Sequence, residues 1–212
     1  MNWLRIDQKR FWQVMALAAG SKLVPISLVL GSGAAYFTAT NMVGPLATLC
    51  GGLFGGLLYS VLGFFLAGKS SLILNTGLPH LLAGQYLRSQ TLWFKIGLPA
   101  ICMLLFWLNP VGLAAAWYAT FWFIPMVIAY FAPRGLFWQA LGATFTAHAV
   151  GSVIWLYFAA PMLPAQWLSL MTIVPVERIC LAAGMVAVYQ VTGYIARFGS
   201  MVIQAIGRKL KA

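Results

Sequence analysis

Apolar stretches recur along this 212-residue chain, and its cations fall almost entirely between them. A helix needs roughly 20 apolar residues to cross the hydrocarbon core of a bilayer. Five such stretches are clear and a sixth follows Pro175, at about 11–30, 43–67, 92–108, 111–131, 136–159 and 174–195. Arg5, Lys9 and Arg10 precede the first. Lys69, Arg88 and Lys95 surround the connection between the second and third, and Arg134 lies between the fourth and fifth. Arg197, Arg208, Lys209 and Lys211 follow the last. The other connections, about 31–42, 109–110 and 160–166, carry no charge. Cytoplasmic loops retain Lys and Arg. The pattern therefore predicts an all-α fold: one polytopic domain, 1–212, of six transmembrane helices in the inner (plasma) membrane, with both termini cytoplasmic. Of 13 cations, Lys22 and Arg178 alone fall outside this scheme, in or near the membrane.

Composition narrows the function classes. The chain is 62% hydrophobic and 7% charged, whereas an ordinary soluble domain is charged at about a quarter of its positions. The net charge of +11 is dispersed among apolar spans and forms no stripe. It suits a leaflet rich in anionic lipid and not nucleic acid. Cys50, Cys102 and Cys180 lie far apart with no metal-ligand spacing, and read as small buried hydrophobes. The basic start runs into a full-length span with no small-residue cleavage site followed by a soluble domain, so the first span is expected to be retained. Glu177 and Asp7 are the only carboxylates, and no hydrolase or protease motif occurs, so an enzyme is not expected. No internal repeat supports a paired-half transporter.

Punctuation residues place the connections. Asn109-Pro110 and Ala132-Pro133-Arg134-Gly135 form tight turns. Segment 72–87 is apolar but too short to cross, and Asn75, Gly77, Pro79 and His80 interrupt it. It reads as an interfacial or re-entrant piece on the cytoplasmic side, with His80 in a loop. Trp167–Ile173 is expected at the outer surface, and Phe198–Leu210 as a basic amphipathic tail on the inner leaflet. Gly51–Gly55 and Gly52–Gly56 in the second span, and Ala16–Gly20 in the first, have the spacing that lets helix backbones touch. They serve either internal packing of spans one and two or docking of another membrane subunit.

Ionisable groups inside a bilayer usually face a cavity or a partner. Lys22 lies past the middle of span one, so it reaches outward or meets an anion. Thr144, His148, Ser152 and Trp155 recur at helical spacing and share one face. That stripe lines a polar cavity or makes interhelical hydrogen bonds worth roughly 1 kcal/mol each. Glu177 suits the first turn of a helix that opens at Pro175, whereas Arg178 opposes the dipole there and needs another reason. If Lys22, Glu177 and Arg178 share a pocket, a solute bearing a carboxylate would balance it. The uncharged loop Tyr36–Asn41 is suited to cover a solute from outside. Trp117, Trp122 and Trp155 offer flat apolar walls, and Asn41 and Asn109 suit helix caps.

This combination resembles the substrate-binding S component of energy-coupling factor (ECF) vitamin transporters. The residues that carry the likeness are Phe37-Thr38-Ala39-Thr40-Asn41 leading to Gly44-Pro45-Leu46, the glycine-rich start of span two, and Thr146-Ala147-His148-Ala149-Val150-Gly151-Ser152. The resemblance implies a binder of a vitamin or similar micronutrient, partnered by a transmembrane coupling subunit and cytoplasmic ATPases. It implies docking through Ala16 and Gly20, where glycine replaces the second alanine of the family's pattern. It also implies a solute site near the outer side, at the depth of Asn41, Trp117, His148, Trp155, Glu177 and Arg178. No phosphate-binding loop is present, so ATP would belong to the partners and no cofactor or metal is expected. The alternatives are a stand-alone small-solute permease or channel, and a structural or assembly membrane protein without a solute.

Overall fold

The structure is a computed structural model, which describes residues 8–23, 27–29, 35–67, 77–131, 133, 135–159 and 162–209. It opens with α1 (Gln8–Leu23) and a two-stranded antiparallel ribbon, β1 (Ser27–Val29) and β2 (Ala35–Thr38). Then follow α2 (Ala39–Ala67), α3 (Leu78–Arg88), α4 (Leu92–Leu108) and α5 (Pro110–Ala114). A 3-10 segment, Ala116–Trp122, leads into α6 (Phe123–Phe131) and α7 (Leu136–Phe158). The chain closes with α8 (Pro164–Ser169), a 3-10 turn at Leu170–Thr172 and α9 (Val174–Lys209). Asn41–Phe65, Leu136–Phe158 and Val174–Gly199 are long and apolar enough to cross a membrane. Leu92–Leu108 and Ala116–Phe131 are shorter apolar segments.

Several sequence expectations need correction. Within the first apolar stretch the described helix runs to Leu23, and Ser27–Val29 pairs with Ala35–Thr38, so a short ribbon accompanies an otherwise helical fold. The outer loop 36–41 is instead the end of β2 and the first turn of α2. The stretch 111–131 is broken into α5, the 3-10 segment and α6. Within 72–87, residues 72–76 lie outside the described residues, and His80 belongs to α3, where it is buried. The tail continues α9 as one helix to Lys209. At 1.5 Å per residue, α9 is roughly 54 Å long, well beyond the ~30 Å core. Cys50 and Cys102 are buried, but Cys180 is exposed on α9.

Two helices organise the packing. The central one, α7, touches α3, α4, α6, α9 and the 3-10 segment, while α2 rests on α1, α3 and α9. Both glycine pairs of α2 are used inside the fold. The Phe11 ring lies on Gly51 and Gly55, and Thr48 and Leu81 press on Gly56. His80 sits on Gly44, and Gly84 of α3 sits on Thr48 and the Pro45 carbonyl. Side chains at these glycines would separate the helices, which is why backbone contact needs them. Ala16 and Gly20 face outward instead, with nothing within 4 Å of a Cβ placed on Gly20. Gly52 breaks α2 with φ 65 and ψ −158, and the Arg88 guanidinium lies 3.5 Å from where its Cβ would be.

Charge collects at one end of the bundle. Arg10 lies over the Tyr189 ring, and Arg10, Leu136 and Arg197 border one recess. Lys95 Nζ donates to Gln139 Oε1 at 2.7 Å. The starts of α1 and α7 thus meet the 189–197 stretch of α9, and the start of α4 meets that of α7. Arg178 is 19 residues before Arg197 on the same helix, roughly 28 Å away along its axis.

Candidate functional site

The end remote from those cations holds a cluster of large rings centred on Tyr118. Asn109 starts it locally: its Oδ1 accepts from Val111 N at 2.9 Å and caps α5, as the sequence suggested. The 3-10 segment that follows turns Tyr118, Ala119 and Trp122 inward and Trp117 outward. Tyr118 then meets Trp167 of α8 at 5.0 Å, His148 of α7 at 5.4 Å and Phe106 of α4 at 5.7 Å between ring centroids. Phe106 in turn meets the edges of Trp122 and Trp167 at 5.2 and 5.3 Å. Such edge-to-face pairs each add about 0.5–1.5 kcal/mol beyond burial.

Polar groups border this cluster. The Tyr118 hydroxyl lies 3.4 Å from Ser152 Oγ. One turn before His148, Thr144 donates to the Arg178 carbonyl at 3.4 Å, and Arg178 donates back to the Thr144 carbonyl at 3.4 Å. Arg178 also donates to Glu177 at 2.7 Å, and only 13% and 14% of the two side chains is exposed. Four buried nitrogens here have no hydrogen-bond partner: Trp122 Nε1, Trp167 Nε1, His148 Nε2 and Arg178 Nε. An unpartnered buried donor costs roughly 1–3 kcal/mol. The four belong to residues within or bordering one set of rings.

The stripe Thr144, His148 and Ser152 is therefore gathered with Arg178, on one side of Tyr118. Trp155 is 42% exposed and Trp117 74% exposed, so neither forms a wall of the cluster. The 3-10 winding explains Trp117: its phase differs from that of the continuous helix expected there. Trp167 is 2% exposed and Trp122 is fully buried. Glu177 pairs with its neighbour Arg178 instead of finding a separate partner. The Lys22 side chain lies outside the described residues, so no +1 pocket is formed from those that are described. Asn41 lies in the first turn of α2, half-buried. Sequence reasoning missed Tyr118, Phe106 and Trp167 as site residues. The inward phase of Tyr118 and Trp122, four apart, was the signal available for the first.

Among the described residues, no group of three or more His, Cys, Asp or Glu is placed to hold a metal ion. Comparison with protein-family models, with characterised proteins and with solved structures gives no match.

Proposed function

We propose that this chain is the membrane-embedded substrate-binding subunit of a micronutrient importer of the ECF type. In this reading it crosses the plasma membrane six times with both termini cytoplasmic. The gathering of Arg10, Lys95 and Arg197 at one end supports that orientation, because cations are retained on the cytoplasmic side. The rings around Tyr118 then lie toward the outer leaflet, where a solute arrives.

The observation that carries the proposal is the set of four unpartnered nitrogens about that cluster. Three of them, on Trp122, Trp167 and Arg178, only donate. They suit a solute with a flat ring and acceptor atoms, among them a carboxylate that would pair with Arg178. The exposed Ala16 and Gly20 of α1 offer a smooth face to a coupling subunit. Transport would follow capture at the outer side by reorientation of the bundle, driven by ATP hydrolysis in the partners.

Mass spectrometry of small molecules released from gently purified protein tests the binding step, followed by thermal-shift screening of vitamins. A ligand at about 100 times its dissociation constant adds roughly 2.7 kcal/mol of stability. His148→Ala and Arg178→Ala are expected to abolish that shift. A ligand whose shift survives both changes binds elsewhere. Uptake by the chain alone in proteoliposomes, without ATPases, would instead identify a permease.

A further inference from the structure

We propose that a recess at the charged end binds the phosphate-bearing headgroup of an anionic phospholipid. The recess has a volume of about 290 Å³ and lies between the start of α1, the start of α7 and the 189–197 stretch of α9. Two guanidiniums from different helices border it, Arg10 and Arg197. Arg10 is held in place: its guanidinium stands 4.8 Å above the Tyr189 ring and packs on Gly193, where any Cβ would run into it. Gly193 is thus the residue that makes room for the cation. Arg197 and Gln190 are exposed at the rim, and Tyr194, which is 75% exposed, forms an amphipathic side wall.

Depth and chemistry point to the same ligand. Arg197 is 23 residues beyond Val174, about 35 Å along α9, which is past the ~30 Å hydrocarbon core and in the headgroup layer. Tyrosine favours that layer. Guanidiniums bind phosphate through paired N–H groups, and basic pockets between transmembrane helices hold anionic headgroups. Each guanidinium carries five N–H donors, so an existing contact at Arg10 or Arg197 leaves others for a phosphate. Among the described residues that line it none is a carboxylate; Asp7, three positions before Arg10 in the sequence, lies outside the described residues. Leu136 and Tyr194 give the recess an apolar border, which a lipid uses and a free phosphate does not. The assignment to the cytoplasmic leaflet rests on the orientation proposed above, whereas the chemistry of the recess does not.

Native mass spectrometry and thermal unfolding of the full chain provide the test, with three probes: phosphatidylglycerol, phosphatidylcholine and inorganic phosphate alone. Phosphatidylglycerol is expected to be retained and to stabilise, and phosphatidylcholine is not. One interfacial cation is worth about 1 kcal/mol, so Arg197→Gln should weaken retention about five-fold and R10Q/R197Q about 25-fold. Arg197→Lys keeps the charge and should retain most of the binding. Arg10 also packs on Tyr189, so the exposed Arg197 keeps the test independent of folding. Unchanged retention in R197Q and R10Q/R197Q, or equal binding of phosphatidylcholine, overturns the proposal. Equal stabilisation by inorganic phosphate alone assigns the recess to a soluble anion and overturns the lipid. Solute-induced stabilisation is expected to survive Arg197→Gln, because the Tyr118 cluster lies at the opposite end of the bundle.

Discussion

In the seam between α1, α2 and α3, close approach comes from leaving side chains out; around Tyr118 it comes from stacking the largest ones. Phe11, His80 and Thr48 each settle on a glycine of the facing helix. At the other end Phe106 meets Trp122 and Trp167, and Tyr118 meets Trp167, edge to face, while Phe106 and Tyr118 are tilted by 33°. The elements of the seam bury Gln13 Oε1, Thr48 Oγ1 and Gln85 Oε1 without hydrogen-bond partners. The ring cluster and its border strand nitrogens of Trp122, Trp167, His148 and Arg178. Glycine seams hold helices together and have no need of donors. Donors buried among aromatic faces without acceptors cost stability, and the proposed solute would offset that cost.

If the seam is structural, breaking it should unfold the protein and not merely weaken a site. Gly51→Leu drives a side chain into the Phe11 ring, which lies over both Gly51 and Gly55. Overpacking of this kind costs typically about 1–3 kcal/mol and occasionally more. Thermal unfolding should show a greater loss than any single substitution in the ring cluster or at the break in α2. Adding Phe11→Ala should recover part of it, which a double-mutant cycle measures as coupling. Additive losses would mean that α1 does not rest on these glycines.

A smaller loss is expected at that break. Gly52 has φ 65 and ψ −158, a region that essentially only glycine occupies, so Gly52→Ala should cost about 2 kcal/mol through backbone strain. The Arg88 guanidinium stands 3.5 Å from the new methyl position, an ordinary contact, so sterics add little. Circular dichroism and thermal unfolding check this; an unchanged melting temperature would argue for a continuous α2 in the membrane.

Sequence pattern carried the helices furthest where the pattern was least interrupted. The long apolar stretches of α2, α7 and α9 are helices, and the turn at Asn109-Pro110 is capped as its residues suggest. The stripe Thr144, His148 and Ser152 is a matter of period 3.6, and it converges with Arg178 in the fold. What the sequence hid is set by tertiary contact. The switch to 3-10 winding at Ala116–Trp122 exchanges Trp117 for Tyr118 on the inner face, and no composition signal marks it. The short α3 is buried because Gly44, Gly56 and Gly142 let it lie against α2 and α7. Its eleven residues are apolar but too few to cross a membrane, and length alone does not reveal burial between helices. Glu177 and Arg178 point to each other although neighbours on a helix diverge by about 100°, because the long arginine side chain closes the gap to 2.7 Å.

The finest comparison uses one chemical change at two tryptophans five positions apart. Trp122→Phe and Trp117→Phe each keep a flat ring and remove one indole N–H. At Trp122 the ring is fully buried and Nε1 is unpartnered. If that nitrogen donates to a solute, its loss removes one hydrogen bond, worth about 0.5–1.5 kcal/mol. The solute's dissociation constant should then rise roughly two- to thirteen-fold, as read by the ligand-induced thermal shift. At Trp117 the side chain is 74% exposed and turned away from Tyr118. The same change there should leave affinity unaltered and stability within about 0.5 kcal/mol. Equal losses at both positions would mean that the solute sits outside the ring cluster. A loss at Trp117 alone would move the site to the outward face of the 3-10 segment, and the unpartnered nitrogens within would then have to be explained by bound water.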